Sequence, residues 1–288
     1  MDLSIVIVNY KSSQKTSKCI ESILESDLSE INYEIIIVDN NSDDDICSVI
    51  EEMVSNGREQ EPRIKFIQSE ENLGMGGGNN LGIRKSDGRF ILVLNPDTIV
   101  RNNAIKILYD YASFDKDVGI VGPKLLNPDN TLQYSCFCFP KFFTPILRRT
   151  FLGNFFKKHI DKFLMKEFDH NNIREVDWIL GSSLMIKRDV LEDIKILYRN
   201  FRSQKGDKVE YFDERFFMYF EDTDLCKRMK SNDYKVVYNP KALVVHDHVR
   251  GSAENKWFIA PFTNKLAREH IKSWIKYFIK HNLLNKII

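Results

Sequence analysis

The chain has 288 residues, 43% of them apolar, enough for a sizeable core in one large α/β domain or two small ones, and this composition excludes a disordered chain. Its formal charge of +1 hides an asymmetry: Lys141 to Lys166 holds seven Lys/Arg against Asp161 alone, and Lys256 to Ile288 seven against Glu269 alone, so the remainder is acidic. An acidic body with two basic, aromatic-rich segments suits an anionic lipid or anionic substrate, and it excludes a nucleic-acid surface running along the whole protein.

Leu3 to Val8 is a buried-strand run that ends on Asn9-Tyr10, and Ser13 to Ser26 follows with helical spacing. Tyr33 to Val38 is a second strand closing on Asp39-Asn40-Asn41-Ser42, and Asp43-Asp44-Asp45 suits the start of a helix running to about Ser55. Ile64 to Ile67 is a short third strand. After it come Asn72-Leu73-Gly74-Met75-Gly76-Gly77-Gly78-Asn79-Asn80 and a helix to about Ser86. Phe90 to Leu94 is a fourth strand, Asn103 to Phe114 a helix, and Val118 to Val121 a fifth strand. Such alternation predicts a parallel sheet covered on both faces, with Asn9, Asp39, the Gly74 loop and Asp97 on one rim beyond the strand ends.

Past Pro123 the pattern changes. Pro140 to Phe168 is rich in Phe, Lys and Arg without a clean strand, and Asp177 to Ile186 is sheet-like. Arg199 to Val209 reads as a loop, a helix begins near Asp222, and Val236 to Tyr238 and Leu243 to Val245 are short strands before His246-Asp247-His248. The five cysteines are odd in number and lack zinc spacing, so reduced thiols are expected. Met1-Asp2 leads straight into a strand, and no apolar run reaches the ~18 residues that span a bilayer. A cytoplasmic location is the expectation.

The glycine run is not a dinucleotide fingerprint, because Asn79 stands where the third glycine belongs and the run follows the third strand. It still permits close approach of a ligand, with Asn79 and Asn80 able to bond sugar or phosphate oxygens. Asp39 reads either as a turn former or as an acceptor for a nucleobase imide or ribose hydroxyl. Asp97, after Asn95-Pro96 at the end of the Phe90 strand, suits a divalent cation whose remaining ligands come from substrate phosphates. The histidines after Val245 are an additional ligand, imidazole suiting Mn²⁺ better than Mg²⁺. Phe216 to Phe220 lead into Glu221, Asp222 and Asp224. Apolar surroundings disfavour the charged carboxylate and make Asp222 the chosen base toward a sugar hydroxyl.

Together these residues resemble glycosyltransferase family 2 with the GT-A fold, and within it the bacterial rhamnosyltransferase branch. The likeness runs from Leu3 to about Ser252 through Ser4 to Tyr10, Val38 to Ser42, Asn72-Leu73-Gly74, Asn95-Pro96-Asp97, Gly181-Ser182 and Phe212 to Leu225. It implies an α/β, Rossmann-like, mostly parallel sheet flanked by helices, with a smaller acceptor-side subregion. It also implies that Asn9, Asp39, Asn41, Asn72, Gly74, Asn79, Asn95 and Arg250 bind the nucleotide sugar. Asp97 and His246, or His248 in its stead, hold Mg²⁺ or Mn²⁺; Trp178, Gly181, Ser182 and Glu221 shape the acceptor side. Asp222 deprotonates the acceptor in a single inverting displacement. Asn95 replaces the first Asp of the family's D-x-D, so the metal is either held by Asp97 with little other help from the protein or bound weakly.

The expected boundaries are 1–255 for the transferase domain, divided into a nucleotide-sugar half (1–123) and an acceptor half (124–255) with a basic aromatic insert near 139–168, and 256–288 for a basic amphipathic C-terminal helix. In that tail Leu266, Ile271, Trp274, Ile275, Phe278 and Ile279 fall near one face, which suits packing on its own domain, on a second subunit in a homodimer, or on anionic lipid. The activity expected is transfer of rhamnose from dTDP-rhamnose, or of a sugar from a UDP-sugar, to a polyprenyl-linked glycan at the inner face of the plasma membrane, in polysaccharide synthesis. A nucleotidyltransferase acting on sugar phosphates and a degenerate glycan-binding scaffold are the competing readings. The first would want a glycine-rich loop after the first strand, where Lys11-Ser12-Ser13 stands instead.

Overall fold

The structure is a computed structural model, and it describes residues 1–55, 63–198, 208–247 and 264–283. The chain opens with β1 (Leu3–Asn9), α1 (Ser13–Leu24), β2 (Tyr33–Asp39), α2 (Ile46–Ser55), β3 (Arg63–Gln68), α3 (Gly74–Arg84) and β4 (Phe90–Leu94). It continues through β5 (Thr98–Val100), α4 (Ala104–Phe114), β6 (Val118–Leu126), β7 (Leu132–Gln133) and β8 (Cys136–Phe137). The insert holds α5 (Thr144–Arg149), a 3₁₀ turn (Phe151–Asn154) and α6 (Lys157–Phe163). Then come β9 (Arg174–Glu175), β10 (Trp178–Ile179), β11 (Ser183–Lys187), α7 (Arg188–Ile194), β12 (Ile196–Tyr198), β13 (Lys208–Glu210), α8 (Glu221–Ser231), β14 (Lys235–His246) and α9 (Lys265–Phe278).

Among the described residues ten strands form the main sheet, with the path β3-β2-β1-β4-β11-β6-β14-β5. The β3-β2-β1-β4 part is parallel throughout, and every residue of β1 is buried, as an unbroken apolar run predicts for a strand covered on both faces. Leu3, Ile5, Ile7, Ile35 and Ile37 face α1, α2 and α4. Val6, Val8, Ile36 and Val38 face α3, α7 and α8. The fifth parallel strand expected beside Phe90–Leu94 is displaced by one position, because β11 runs antiparallel between β4 and β6. Strands from both halves of the chain therefore share one mixed sheet.

Several elements differ from the sequence reading in extent. Asp177 to Ile186 is two strands broken at Leu180–Ser182, and β10 pairs with β8 outside the main sheet. The two short strands near the C-terminus are one, β14, carrying a register shift between Asn239 and Leu243 around Pro240. The glycine run is no open loop but the first turns of α3. A Cβ on Gly78 would lie 2.7 Å from Val8 Cγ1, and one on Gly82 2.4 Å from Val6 Cγ1, so these glycines let the helix lie directly on β1. Residues 199–207 of the expected loop, and the tail before Asn264, lie outside the described residues.

Candidate active site

Chain order reverses between β1 and β4, the position where open α/β sheets leave a crevice beyond the strand ends. Register pairs Asn9 with Asp39 across β1 and β2. Asn9 Nδ2 donates to Asp39 Oδ1 at 2.9 Å, to Ser42 Oγ at 3.0 Å and to Asp44 Oδ1 at 2.9 Å, while its Oδ1 accepts from Thr16 Oγ1 at 2.8 Å. Asp39 also accepts from the Ser42 hydroxyl and, at 2.7 Å, from Gln68 Nε2. Asn9 thus spends its amide inside the protein, holding Asp39 in place. Asn41 stands exposed at φ 58° on the turn that follows.

The glycine turn is similarly occupied. Asn72 Oδ1 accepts from Gly74 N at 2.9 Å, and Asn40 Nδ2 donates to Gly74 O at 3.0 Å. Gly74 sits at φ 73°, and a Cβ there would lie 2.1 Å from Phe217 O, so the missing side chain lets the protein's own backbone approach closely. Asn80 is structural, accepting from Phe212 N at 2.8 Å. Asn79 Oδ1, by contrast, is buried without a hydrogen-bond partner.

Across the crevice the end of β4 carries Asp97, whose Oδ1 lies 3.3 Å from His246 Nε2 at the end of β14. The imidazole tautomer follows from its other side. Gln133 Nε2 donates to Asn127 Oδ1 at 2.9 Å and to His246 O at 3.1 Å, which turns Gln133 Oε1 toward His246 Nδ1 at 2.7 Å. Nδ1 is then the donor, which leaves Nε2 as the ring nitrogen that faces the Asp97 carboxylate and the one a cation there would use. Among the described residues no three His, Cys, Asp or Glu side chains gather around one point. The pair fits a divalent cation that takes its remaining ligands from a substrate diphosphate. His248 and Arg250 lie outside the described residues.

Asn95 N donates to Ser182 O at 2.9 Å, and Gly181 N donates to Asp222 Oδ2 at 2.8 Å. Two hydrogen bonds thereby tie the Asp97 turn to the first turn of α8. Asp222 also accepts from Thr223 N at 2.6 Å. Burial raises its pKa; these two backbone N–H groups act against it, as does the Trp178 indole N–H without reaching hydrogen-bond geometry. Burial, and then the Asp222 charge, push Glu221 up to about 8. Two adjacent carboxyl groups that both resist ionisation hold one proton between them and leave the other carboxylate a stronger base than a solvated one. Asn95 Oδ1, Trp178 Nε1, Ser182 Oγ and Glu221 Oε2 are buried without hydrogen-bond partners, in a chain where such atoms call for a polar ligand or another explanation.

The α8 N-terminus is itself under strain. Tyr219 and Phe220 both adopt φ 68°, a left-handed conformation that costs a non-glycine residue roughly 1–3 kcal/mol. α9 holds this turn. Phe220 packs with Phe216, Tyr277 and Phe278, and Ser273 Oγ donates to Met218 O at 2.8 Å. Below it Lys280 Nζ and His281 Nε2 lie 2.6 Å and 2.7 Å from Asp224 Oδ1. Burial alone would raise the Asp224 pKa, but His281, Arg228 and Lys280 together hold it well below the ordinary carboxylate range. The buried stripe of α9 runs through Ala267, Ser273, Tyr277 and Phe278, whereas Ile275 and Ile279 face outward, so the apolar face expected from spacing is rotated.

The residues missed in the sequence are those that support these groups: Gln133 behind His246, Gln68 and Asp44 around Asp39 and Asn9, and Lys280 and His281 behind Asp224. Each joins a partner more than 20 positions away in the chain, so spacing gives no signal for it. Only strand pairing would have found Gln68, which stands opposite Asp39 in the β2–β3 register.

Residues 4–173 match the family model described as Glycosyl transferase family 2. A low-salt glycan biosynthesis hexosyltransferase of Haloferax volcanii is 29% identical over 242 residues, which cover 82% of this chain and 64% of that protein. An N-acetylglucosaminyl-diphospho-decaprenol L-rhamnosyltransferase of Mycobacterium tuberculosis is 24% identical over 293 residues, covering 97% of this chain and 85% of the relative. Among solved structures, a mannosyltransferase of Pyrobaculum calidifontis in complex with GDP-Man and Mn²⁺ aligns with a TM-score of 0.58 at 16% identity, over 96% of this chain and 64% of that one. That likeness shows a shared GT-A fold.

Proposed function

Since the chain belongs to glycosyl transferase family 2, we propose that it transfers a sugar, rhamnose being the leading candidate, from a nucleoside-diphosphate sugar to a hydroxyl of a lipid-linked glycan. Support for the substrate classes comes from relatives: the mycobacterial one is named for a decaprenyl-linked acceptor and a rhamnosyl donor group, and the solved mannosyltransferase was captured with GDP-Man. Among the described residues no helix is long and apolar enough to cross a membrane, so a lipid-linked acceptor would be met at the bilayer surface.

The observation that carries this reading is the pair of hydrogen bonds, Asn95 to Ser182 and Gly181 to Asp222, that joins an Asp97–His246 pair suited to a cation with a carboxylate pair suited to take a proton. In the reaction the acceptor oxygen forms a bond to the anomeric carbon while the bond from that carbon to the diphosphate oxygen breaks, which inverts the centre. Asp222 accepts the proton released by the attacking hydroxyl, and its raised pKa improves it as a base. Glu221, held neutral beside it, keeps a hydrogen-bond donor on the acceptor side. Asp39, fixed by Asn9, Ser42 and Gln68, orients the nucleoside. A divalent cation on Asp97 and His246 would supply positive charge for the departing diphosphate.

A thermal-shift screen of nucleoside diphosphates and their sugars, with and without Mn²⁺, tests the donor half. Metal-dependent stabilisation by at least one is expected; its absence for all of them removes the reading. Asp222→Asn is expected to lower transfer by ~10²–10⁴-fold while leaving donor binding nearly intact. Retained turnover would assign the base elsewhere.

A further inference from the structure

We propose that the insert from Phe142 to Phe163 is a membrane-docking element whose cleft takes a phosphate group of an anionic lipid, an inference that rests on the reading of a lipid-linked acceptor. The cleft, about 510 Å³ in volume, lies within α5, the 3₁₀ turn and α6, and is lined by Arg148, Thr150, Asn154, Lys157, Asp161 and Lys166. Thr150 Oγ1 is buried there without a hydrogen-bond partner. The lining carries three cationic side chains, Arg148, Lys157 and Lys166, against the single carboxylate of Asp161, which pairs with Lys166 at 2.6 Å. An anion with several acceptor oxygens suits that lining.

What surrounds the cleft argues for a lipid rather than a free anion. Phe143, Phe151, Phe155 and Phe156 are 63%, 62%, 79% and 53% exposed, a density of solvent-facing aromatic side chains that water alone disfavours. The segment that carries them, Lys141 to Lys166, also holds seven Lys/Arg against Asp161 alone, a net charge complementary to an anionic leaflet. The insert continues into α9, since Trp274 Nε1 donates to Phe142 O at 3.0 Å, and the outward Ile275 and Ile279 extend the apolar surface.

The cleft also communicates with the acceptor side. Arg148 lies over the Phe163 ring at 5.3 Å, Phe163 stacks on Phe137 at 5.4 Å, and Phe137 meets Trp178 at 4.5 Å. A headgroup held by Arg148 is thus two rings from Trp178, the residue beside the proposed base. Docking through the insert would present a lipid-borne acceptor hydroxyl toward Asp222.

Flotation of the full-length protein with phosphatidylcholine vesicles, with and without phosphatidylglycerol, tests the proposal. Binding to the anionic vesicles alone is expected. Arg148→Gln with Lys157→Gln should weaken partition roughly 30-fold, from ~1 kcal/mol per basic residue at such a surface. Phe155→Ser with Phe156→Ser should release the protein, and Phe151→Ser, a single exposed change, covers a double variant that fails to fold. Equal binding to neutral vesicles or undiminished flotation of the Phe variants would each overturn it. So would loss of binding in Ile275→Ser with Ile279→Ser alone, which would make α9 the dock. Flotation does not read transfer, so its failure leaves the sugar-transfer reading standing, and failure of the nucleoside-diphosphate screen leaves this one standing.

Discussion

Gly181 and Asp222 are in contact through more than a hydrogen bond: a Cβ on Gly181 would lie 3.0 Å from Asp222 Cβ and 3.2 Å from Oδ2, while the Gly181 N–H donates to that Oδ2 at 2.8 Å. The absence of a side chain at residue 181 is what allows the N–H to reach the carboxylate. Gly181→Ala should therefore displace Asp222 by a few tenths of an ångström. Because misplacement of a reacting group is costly, kcat is expected to fall ~10–100-fold with the donor Kd unchanged, as steady-state kinetics and donor titration would read. Equal losses in both would show a wider collapse of the site.

Glu221 and Asp222 titrate as a pair in which the Asp222 charge helps to hold the proton on Glu221. The acid limb of kcat/KM is expected above the ordinary carboxylate range in the parent and nearly unmoved in Glu221→Gln, because Glu221 is already neutral where Asp222 ionises. Stability gives an independent readout. The unfolded chain ionises Glu221 near 4.5 while the folded protein keeps the proton to about 8, so the folded state binds more protons across that window and stability falls as pH rises through it. Glu221→Gln removes this loss. Its Tm relative to the parent should rise by a few °C from the acid to the alkaline end of the window. A constant difference would refute the raised pKa.

Gln133 leaves a different signature, because it contacts His246 and not the substrate site. Gln133→Leu removes the acceptor for Nδ1–H and releases the imidazole from its tautomer, which should weaken Mn²⁺ affinity ~10–100-fold at nearly unchanged metal-saturated kcat. Gln133→Glu retains an acceptor and should restore much of the affinity. Mn²⁺-dependent thermal stabilisation in the presence of a nucleoside diphosphate measures both; equal affinity in Gln133→Leu would separate His246 from the cation.

The contrast between Asp39 and Gln133 marks what the sequence makes legible. Asp39, Asp97 and Asp222 each follow an apolar run, and a run of that kind fixes both the strand or wall and the polar residue at its end. The parallel part of the sheet was readable for the same reason. The placement of β11 between β4 and β6 was not, since Ser183–Lys187 carries no local mark of its partners. Nor was the internal use of Asn9 and Asn72, because an Asn at a strand end looks the same whether its amide meets a ligand or a neighbouring carboxylate. The glycines misled in one respect: they do permit close approach, but the approaching groups are Val6, Val8 and Phe217. In α9, spacing identified an amphipathic helix without revealing its true buried stripe, which Tyr277 and small Ala267 and Ser273 define.

That stripe makes the tail part of the scaffold beneath the Asp222 turn. Tyr277 is 3% exposed and its ring lies 5.2 Å from Phe220, one of the two left-handed residues leading into Asp222. A chain ended near Ala260 would uncover Phe216 and Phe220 and remove Lys280 from Asp224, so truncation would report folding before any surface role. Tyr277→Phe keeps the packing and should be nearly silent. Tyr277→Ala leaves a cavity against the strained turn and should cost about 3 kcal/mol, a Tm drop of roughly 6–12 °C, with kcat reduced beyond what the lost folded fraction explains. Normal kcat per folded molecule in Tyr277→Ala would show that the Tyr219–Phe220 turn holds Asp222 without support from α9.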